Sequence, residues 1–510
     1  MIGTVLLALL LAGCAAPLPT VPRTPSHAAT DTAGTTLARS LAHLVEAHPG
    51  VSGLHMFTDP HDAFAGRVVL ADTAERTIDA QYFIWHDDVV GVLLWRALWQ
   101  AAERGVRVRL LLDDANGSAA LDPLLAALDA HPHIELRLYN PFVDRGSRAW
   151  GYASDFGRLN QRMHNKSFTA DNQVSIVGGR NIADEYFGAA EGLGFADVDV
   201  SAIGPVVREV SKEFDVYWNS ASAYPAAPFV GAGGAAAEAA LRARFDAVQD
   251  DPRAQDFLLA LHESAFLRDL VAHRLQIEWA SAHVLYDDPA KTLDGGADDR
   301  LLLMPVLLQR MGDPQRSLDI VSPYFVPGAV GTAGLAEVAR RGVRVRVLTN
   351  SLASSDERVV HAGYLKRRHD LLRAGVELYE MKPGAADASL RVRGRIGPAK
   401  VAGLHAKSYA VDGQRAFIGS FNFDQRSTHL NTEMGLVIDS PAFAAELAAV
   451  LDNALEYAYS VRLAPDGRNL QWLEQRPSGE RIVHDVDPET TAWQRFQVGF
   501  LAGFPIDWLL

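Results

Sequence analysis

HNKSFTAD at residues 164–171 returns as HAKSYAVD at residues 405–412. The spacing of His164, Lys166 and Asp171 is kept in His405, Lys407 and Asp412 without an insertion. The segments that lead to the two motifs repeat as well. DDVVGVLLWRALWQAAERG (87–105) carries apolar residues at helical spacing, with Asp87 as the predicted N-cap and Gly105 as the predicted stop; VRVRLLL then reads as a strand. The second copy runs LAEVARRG (335–342) and then VRVRVLTN. Apolar strands are predicted ahead of each helix, AQYFIW (80–85) and IVSPYFVP (320–327). Gly342 lies 237 residues beyond Gly105, and His405 lies 241 beyond His164. Two unrelated domains would not keep that offset, so the fold class is a duplicated α/β fold.

Side chains two apart on a strand share a face, which pairs His164 with Lys166 and His405 with Lys407. Asp171-Asn172 and Asp412-Gly413 predict hairpin turns, and turn chemistry alone accounts for the two aspartates. Strands follow in VSIVGGRN and AFIGSFN, with Gly178 or Gly419 seven residues after each Asp and Asn181 or Asn422 three further on. A hairpin folding back would set each Asn beside its own His-Lys pair. Two facing sites of this kind suit phosphoryl transfer: ammonium and amide donors for the non-bridging oxygens, imidazoles as nucleophile and acid. No metal-ligand set is evident, and two lysines suffice to neutralise a phosphate, so no metal or cofactor is expected. The copies differ at one place: Gly179 stands where the second has Ser420, so only the second half-site offers a hydroxyl there. Arg180 follows Gly179, in a direction the sequence does not give.

At 510 residues the chain exceeds one ordinary core. A net charge of −14 argues against a general nucleic-acid binder, although not against a small basic pocket. Cys14 is the single cysteine, which excludes an intramolecular disulfide and a cysteine metal cluster. MIGTVLLALLLAGC is too short to span a membrane, and Leu11-Ala12-Gly13-Cys14 resembles the lipobox of bacterial lipoproteins. That resemblance implies lipidation at Cys14 and a periplasm-facing place in the cell envelope, with Ala15 pointing to the outer membrane. No Lys or Arg precedes the apolar run. A misplaced start would instead leave a peripheral protein of the cytoplasmic membrane. The expected organisation is a signal segment (1–14), a flexible Pro/Thr/Ala-rich tether (15–45), a first domain (46–221), a mostly helical connector (222–299), a second domain (300–462) and a C-terminal extension (463–510).

The doubled pattern HxKx4Dx6G(G/S)xN resembles the signature of the phospholipase D superfamily. YFIWHDD, RGVRVRLLLDD, TNSLASSDERVVHAGY and the terminal PIDWLL are similar to its cardiolipin synthase branch, and within that branch to the C type. The similarity runs from about residue 45 to the C-terminus. It implies two pseudo-symmetric α/β/α sandwich domains sharing one active site, and a phosphohistidine intermediate. His164 is expected as nucleophile and His405 as acid/base, a choice that sequence symmetry leaves open. Lys166, Lys407, Asn181 and Asn422 would hold the phosphate oxygens. An acidic residue past each motif would orient its imidazole: Asp197 in FADVDV, with Asp199 as rival, and Glu433 in NTEMG.

The implied reaction is phosphatidyl transfer from phosphatidylglycerol and a second phospholipid, phosphatidylethanolamine being the candidate, at a membrane. Hydrolysis to phosphatidic acid is the nearest alternative. A secreted nuclease or an idle lipoprotein scaffold ranks lower, because both motifs are intact in one acidic chain. A monomer is expected, and any accessory protein is unreadable from the chain. Trp150, Tyr152 and Phe156 are candidates for contact with lipid or for ordinary packing. The terminal VGFLAGFPIDWLL is expected to dock on the core rather than dip into a membrane.

Overall fold

The structure, a computed structural model, describes residues 17–190, 193–384, 401–476 and 478–504. Cys14, its lipobox and PIDWLL lie outside the described residues. The first half contributes β1 (Ser52–Phe57), β2 (Thr77–Tyr82), β3 (Arg107–Asp113), β4 (Ile134–Tyr139), β5 (Ser167–Ala170), β6 (Val174–Gly178), β7 (Leu193–Ala196), β8 (Asp199–Ile203) and β9 (Ala223–Pro225). The second contributes β10 (Glu278–Tyr286), β11 (Ser317–Val321), β12 (Arg344–Asn350), β13 (Glu377–Met381), β14 (Val401–Leu404), β15 (Ser408–Val411), β16 (Arg415–Gly419), β17 (Met434–Asp439) and β18 (Ala458–Leu463), followed by β19 (Leu470–Gln475) and β20 (Arg481–His484).

Pairing repeats strand for strand. β4, β3 and β2 are parallel, and β5, β6, β8 and β1 then add antiparallel. β13, β12, β11, β15, β16, β17 and β10 follow the same plan. The equivalent strands β1 and β10 pair antiparallel with each other, which joins the halves about a pseudo-twofold axis. Helices cover both faces. Helices Pro60–Thr73, Val89–Glu103 and Asp122–Asp129 pack on the outer face of the first sheet. Helices Leu303–Met311, Gly328–Arg340 and Arg368–Arg373 do so on the second. Between the halves lies a shared apolar core, where Val177 and Val200 meet Ile418 and Leu436; helices Pro205–Trp218 and Pro441–Leu455 flank it. Each half is therefore an α/β/α sandwich.

Several expectations need correction. The strands expected at 80–85 and 320–327 begin earlier, because each holds a buried carboxylate that hides its pattern. Asp79 on β2 pairs with Arg109, and Asp319 on β11 with Arg346, both at 2.7 Å. The helix N-cap is Asp88 rather than Asp87, its Oδ1 accepting from Gly91 N. Residues 17–35 are not a free tether. Asp215 accepts from Ala28 N, Asn219 from Ser26 N, and Arg137 donates to the Thr24 carbonyl, so the segment is held extended along the first half before helix Thr36–Ala47. The connector opens with the short β9, which pairs with β4, and is mostly helical from there to Val271, but it also contains β10, the strand that ties the two sheets together. Its polar alternation masks it. The C-terminal extension adds β19 and β20 to the second sheet and ends in helix Ala492–Ala502.

Candidate active site

His164-Lys166 and His405-Lys407 do not sit within strands; each occupies the extended link just before β5 or β15. Backbone pairing across the halves fixes these links. Met163 bridges Thr432 in parallel, with His164 N donating to Thr432 O at 2.8 Å. β14 pairs in parallel with β7, and His405 N donates to Ala196 O at 2.8 Å. Thr432 immediately precedes Glu433, and Ala196 immediately precedes Asp197. Each imidazole is thus delivered to the acidic residue of the other half. His164 Nδ1 lies 2.8 Å from Glu433 Oε2, and His405 Nδ1 lies 2.7 Å from Asp197 Oδ2. The expected partnership within each half is replaced by a crossed one. With Nδ1–H donated to a carboxylate, Nε2 is the nitrogen left with a lone pair for chemistry.

Asp199, the rival, lies two residues further on, at the start of β8, and turns away. It takes Arg67 Nη2 at 2.9 Å and Arg180 Nη1 at 3.4 Å. Arg180 points inward, donating also to the carbonyls of Phe57, Thr58 and Asp197. Lys166 Nζ and Lys407 Nζ each donate to the carbonyl of their own histidine at 2.5 Å, and Lys407 Nζ sits about equally near both ring nitrogens of His405.

The asparagines tie into the crossed pairs through their neighbours. Asn181 Nδ2 donates to Tyr186 Oη, and the Tyr186 ring stands edge-on to His405 at 4.9 Å. Asn422 N donates to Ser427 Oγ, which donates to Glu433 Oε1; Asn422 Oδ1 is buried without a protein partner. Asp171 and Asp412 stand at the far ends of the hairpins with positive φ. Asp171 accepts from the backbone N–H groups of Glu75, Arg76 and Thr77, and Asp412 from those of Gln315, Arg316 and Ser317. They lock the motif hairpin to the start of β2 or β11. Gly178 and Gly419 are required by close approach: a Cβ would meet Asp199 Oδ1 at 2.1 Å or Met434 O at 2.3 Å. A Cβ on Gly179 would meet Asp197 Oδ1 at 2.2 Å, whereas Ser420 Oγ donates to Glu433 Oε2.

The site is buried, and its electrostatics are unequal. Burial, then Lys166 and Lys407, hold His164 well below its ordinary value. Burial and Lys407 bring His405 down to about 4, with Asp197 opposing. Burial acts to raise Asp197, but His405, Lys407 and Arg180 outweigh it and hold the carboxyl at about 2. Burial dominates at Glu433, pushed up to about 7 despite Lys166 and the two serine hydroxyls. Burial lowers both lysines, Lys407 to about 8. A bound phosphodiester anion would restore both ammonium groups.

Ser427, Tyr186, Phe83 and Phe195 were not singled out by sequence; the last two rings pack against His164 and His405 at 5.0 and 5.4 Å. Ser427 and Tyr186 each lie five residues past their asparagine, a signal the repeat itself offered. Trp150 and Phe156 are exposed, while Tyr152 packs on Phe142. Among the described residues, His86, Asp88 and Glu185 could present three ligand atoms to a metal, but Asp88 already accepts from Gly91 N and Asp184 N. No helix among the described residues is long and apolar enough to cross a membrane.

The chain is similar to known proteins along nearly its whole length. The family model for cardiolipin synthase, PLD-like domain, matches twice, over residues 69–218 and 307–455. Cardiolipin synthase C of Escherichia coli (strain K12) is 46% identical over 478 residues, 93% of this chain and 99% of that protein. Cardiolipin synthase A of Pseudomonas entomophila (strain L48) is 27% identical, covering 85% of this chain and 74% of that one. The crystal structure of phosphatidylserine synthase from Haemophilus influenzae Rd KW20 superposes with a TM-score of 0.54 at 14% identity, over 83% of this chain and 92% of that one, a likeness of fold. On the doubled domain match and the near full-length relative, the chain belongs to the cardiolipin synthase family of phospholipase D-like proteins.

Proposed function

We propose that the protein is a phosphatidyltransferase making cardiolipin from phosphatidylglycerol and a second phospholipid, through a phosphohistidine and without a metal. The observation that carries this is the crossed pair of histidine–carboxylate contacts, at 2.8 and 2.7 Å, in one buried site with two lysines. His164 Nε2 attacks phosphorus and the bond to the headgroup oxygen breaks, while protonated His405 gives its proton to the departing alkoxide. His405 then takes the proton of the acceptor hydroxyl, that oxygen attacks phosphorus, and the P–N bond to His164 breaks. Lys166, Lys407, Asn181 and Asn422 hold the non-bridging oxygens. The division of roles rests on the unequal carboxylates. Burial and Lys407 hold His405 at about 4, against the pull of a firmly ionised Asp197. A bound phosphodiester anion adds to that pull and lets His405 carry the proton, whereas Glu433, near 7, gives His164 less reason to protonate.

Phosphatidylethanolamine is the proposed second substrate, with ethanolamine released. A single chain supplies both half-sites, so a monomer suffices. Membrane attachment is part of this reading: lipidation at Cys14 would hold the protein in the cell envelope, facing the periplasm, and helix Ala492–Ala502 carries an aromatic ridge. That helix buries Val498 against Leu352 and Ala362 but leaves Trp493, Phe496 and Phe500 exposed at 63, 60 and 59%, and Phe504 just past its end is exposed at 46%. Such a ridge suits a membrane interface. The test is mass spectrometry of lipids from purified protein in vesicles of phosphatidylglycerol, alone or mixed with phosphatidylethanolamine. Cardiolipin rising only in the mixture, with ethanolamine released, is the expected result. Phosphatidic acid without cardiolipin would make the enzyme a hydrolase instead.

A further inference from the structure

The two halves fill equivalent space differently. Matching the ladders sets Gly178 with Gly419 and Asp199 with Gly435, and from there Pro205 with Pro441 and Phe57 with Leu285. Behind the first motif, Tyr139, Phe214, Tyr217 and Trp218 form a buried aromatic cluster against which Tyr286 packs. The equivalent residues behind the second motif are Met381, Val450, Asn453, Ala454 and Thr58. Each aromatic ring is replaced by something smaller, and the missing volume is a cavity of about 590 Å³ lined by all five.

The floor of this cavity is the reverse side of the motif. Leu404 and Ala406, which flank His405, face into it, as do Phe195 and Asp197, both of which touch the His405 ring. Val321, Leu348, Leu447 and Leu451 make the walls apolar. Asp59, Asp62 and Glu456 border it with carboxylates, which disfavours an anionic end there. The volume lies within the range of about 300–1,000 Å³ usual for small-molecule sites.

We propose that this cavity binds one alkyl chain of a lipid, methyl end first, behind the second half-site. The placement rests on the reading of the site as a lipid transferase, but binding can be measured without turnover. The chain belongs either to a bound substrate or to a separate single-chain lipid, and the experiment separates these sources.

The probe is palmitoyl-lysophosphatidylcholine, with palmitate as the anionic comparator, added to the full chain and followed by native mass spectrometry and titration. Ala454→Trp and Val450→Phe restore the rings that the first half carries at Trp218 and Phe214. The wild type should bind the zwitterionic probe in preference to palmitate, and the filled variants should lose it. Asn453→Tyr, at the more open rim, gives the same test if Ala454→Trp does not fold, and thermal unfolding checks each protein. Turnover of dioleoyl- against dihexanoyl-phosphatidylglycerol assigns the source. A long-to-short ratio that falls in the filled variants places a substrate chain in the cavity, and an unchanged ratio places a separate lipid there. Absence of probe binding by the wild type, or equal binding by folded filled variants, would overturn the proposal. Absence of turnover with either lipid while the probe still binds would instead fault the transferase reading.

Discussion

Replacing Asp197 by Asn removes the charge beside His405 while keeping a side chain of the same shape. The carboxyl is held at about 2 against an ordinary 3.8, in a fully buried position. At about 1.36 kcal/mol per pK unit this is a preference of roughly 2 kcal/mol for the ionised form, shared among His405, Lys407 and Arg180. Losing the His405 share of it should slow a step that needs His405 as acid or base, by on the order of 10-fold. A phosphatidyl ester of p-nitrophenol separates the steps, because its leaving group departs without a proton. The first step then proceeds in Asp197→Asn and in His405→Ala, while attack by the acceptor alcohol stalls. Phosphatidyl-histidine should accumulate and, after an alkaline quench and digestion, appear on the peptide containing His164. Glu433→Gln should slow formation of the adduct instead. Label on His405, or accumulation in Glu433→Gln rather than Asp197→Asn, would refute both the crossed partnership and the division of roles.

Asp171→Asn should leave most of the chemistry intact but cost about 2 kcal/mol of stability in urea unfolding, since a buried carboxylate accepting three backbone N–H groups is weakened. Gly179→Ser should abolish turnover with a folded far-UV spectrum, because its Cβ would collide with the Asp197 carboxylate. Lys407, lowered to about 8, loses its charge as pH rises through that value. The phosphate then loses a cation, so kcat/KM should fall above about pH 8. Asp356→Asn, which removes a carboxylate that supports the ammonium, should move that limb to lower pH; a limb that does not move would refute the assignment. Chelators should leave lipid turnover unchanged, as measured by phosphatidyl product formed with and without EDTA.

The repeat was legible because it is local: helix, strand and motif recur at a nearly constant offset, and the sheet repeats with them. The crossed carboxylates were not. His164 and Glu433 are 269 residues apart, and nothing in either half announces that β7 pairs with β14, or Met163 with Thr432. β10 was lost inside a helical stretch because it is an interface strand with mixed burial, Glu278 and Trp279 being only half-buried. The docking of residues 17–35 was hidden for a different reason. Its hydrogen bonds come from side chains far along the chain, Asp215 and Asn219 among them, and a Pro/Thr-rich segment has no period of its own. The ladder separates Asp197 from its rival: Gly178 faces Asp199 as Gly419 faces Gly435, which sets Asp197 level with Glu433.

In that register the half-sites differ at two neighbouring positions. Asp197 and Glu433 are equivalent positions, and so are Gly179 and Ser420. Asp197 lies over the Gly179 backbone, in space a side chain would need, and receives no serine hydroxyl; its charge is balanced by His405, Lys407 and Arg180. Glu433 carries one more methylene and accepts from Ser420 and Ser427 as well as His164. A side chain added at Gly179 alone would clash with Asp197, and loss of the Ser420 hydroxyl alone would take one of three donors from Glu433. The outcome is one histidine beside a carboxylate that stays charged and one beside a carboxylate poised near neutrality. A two-step transfer asks for that difference: the acid/base must hold a proton and return it, while the nucleophile must stay unprotonated until phosphorus arrives.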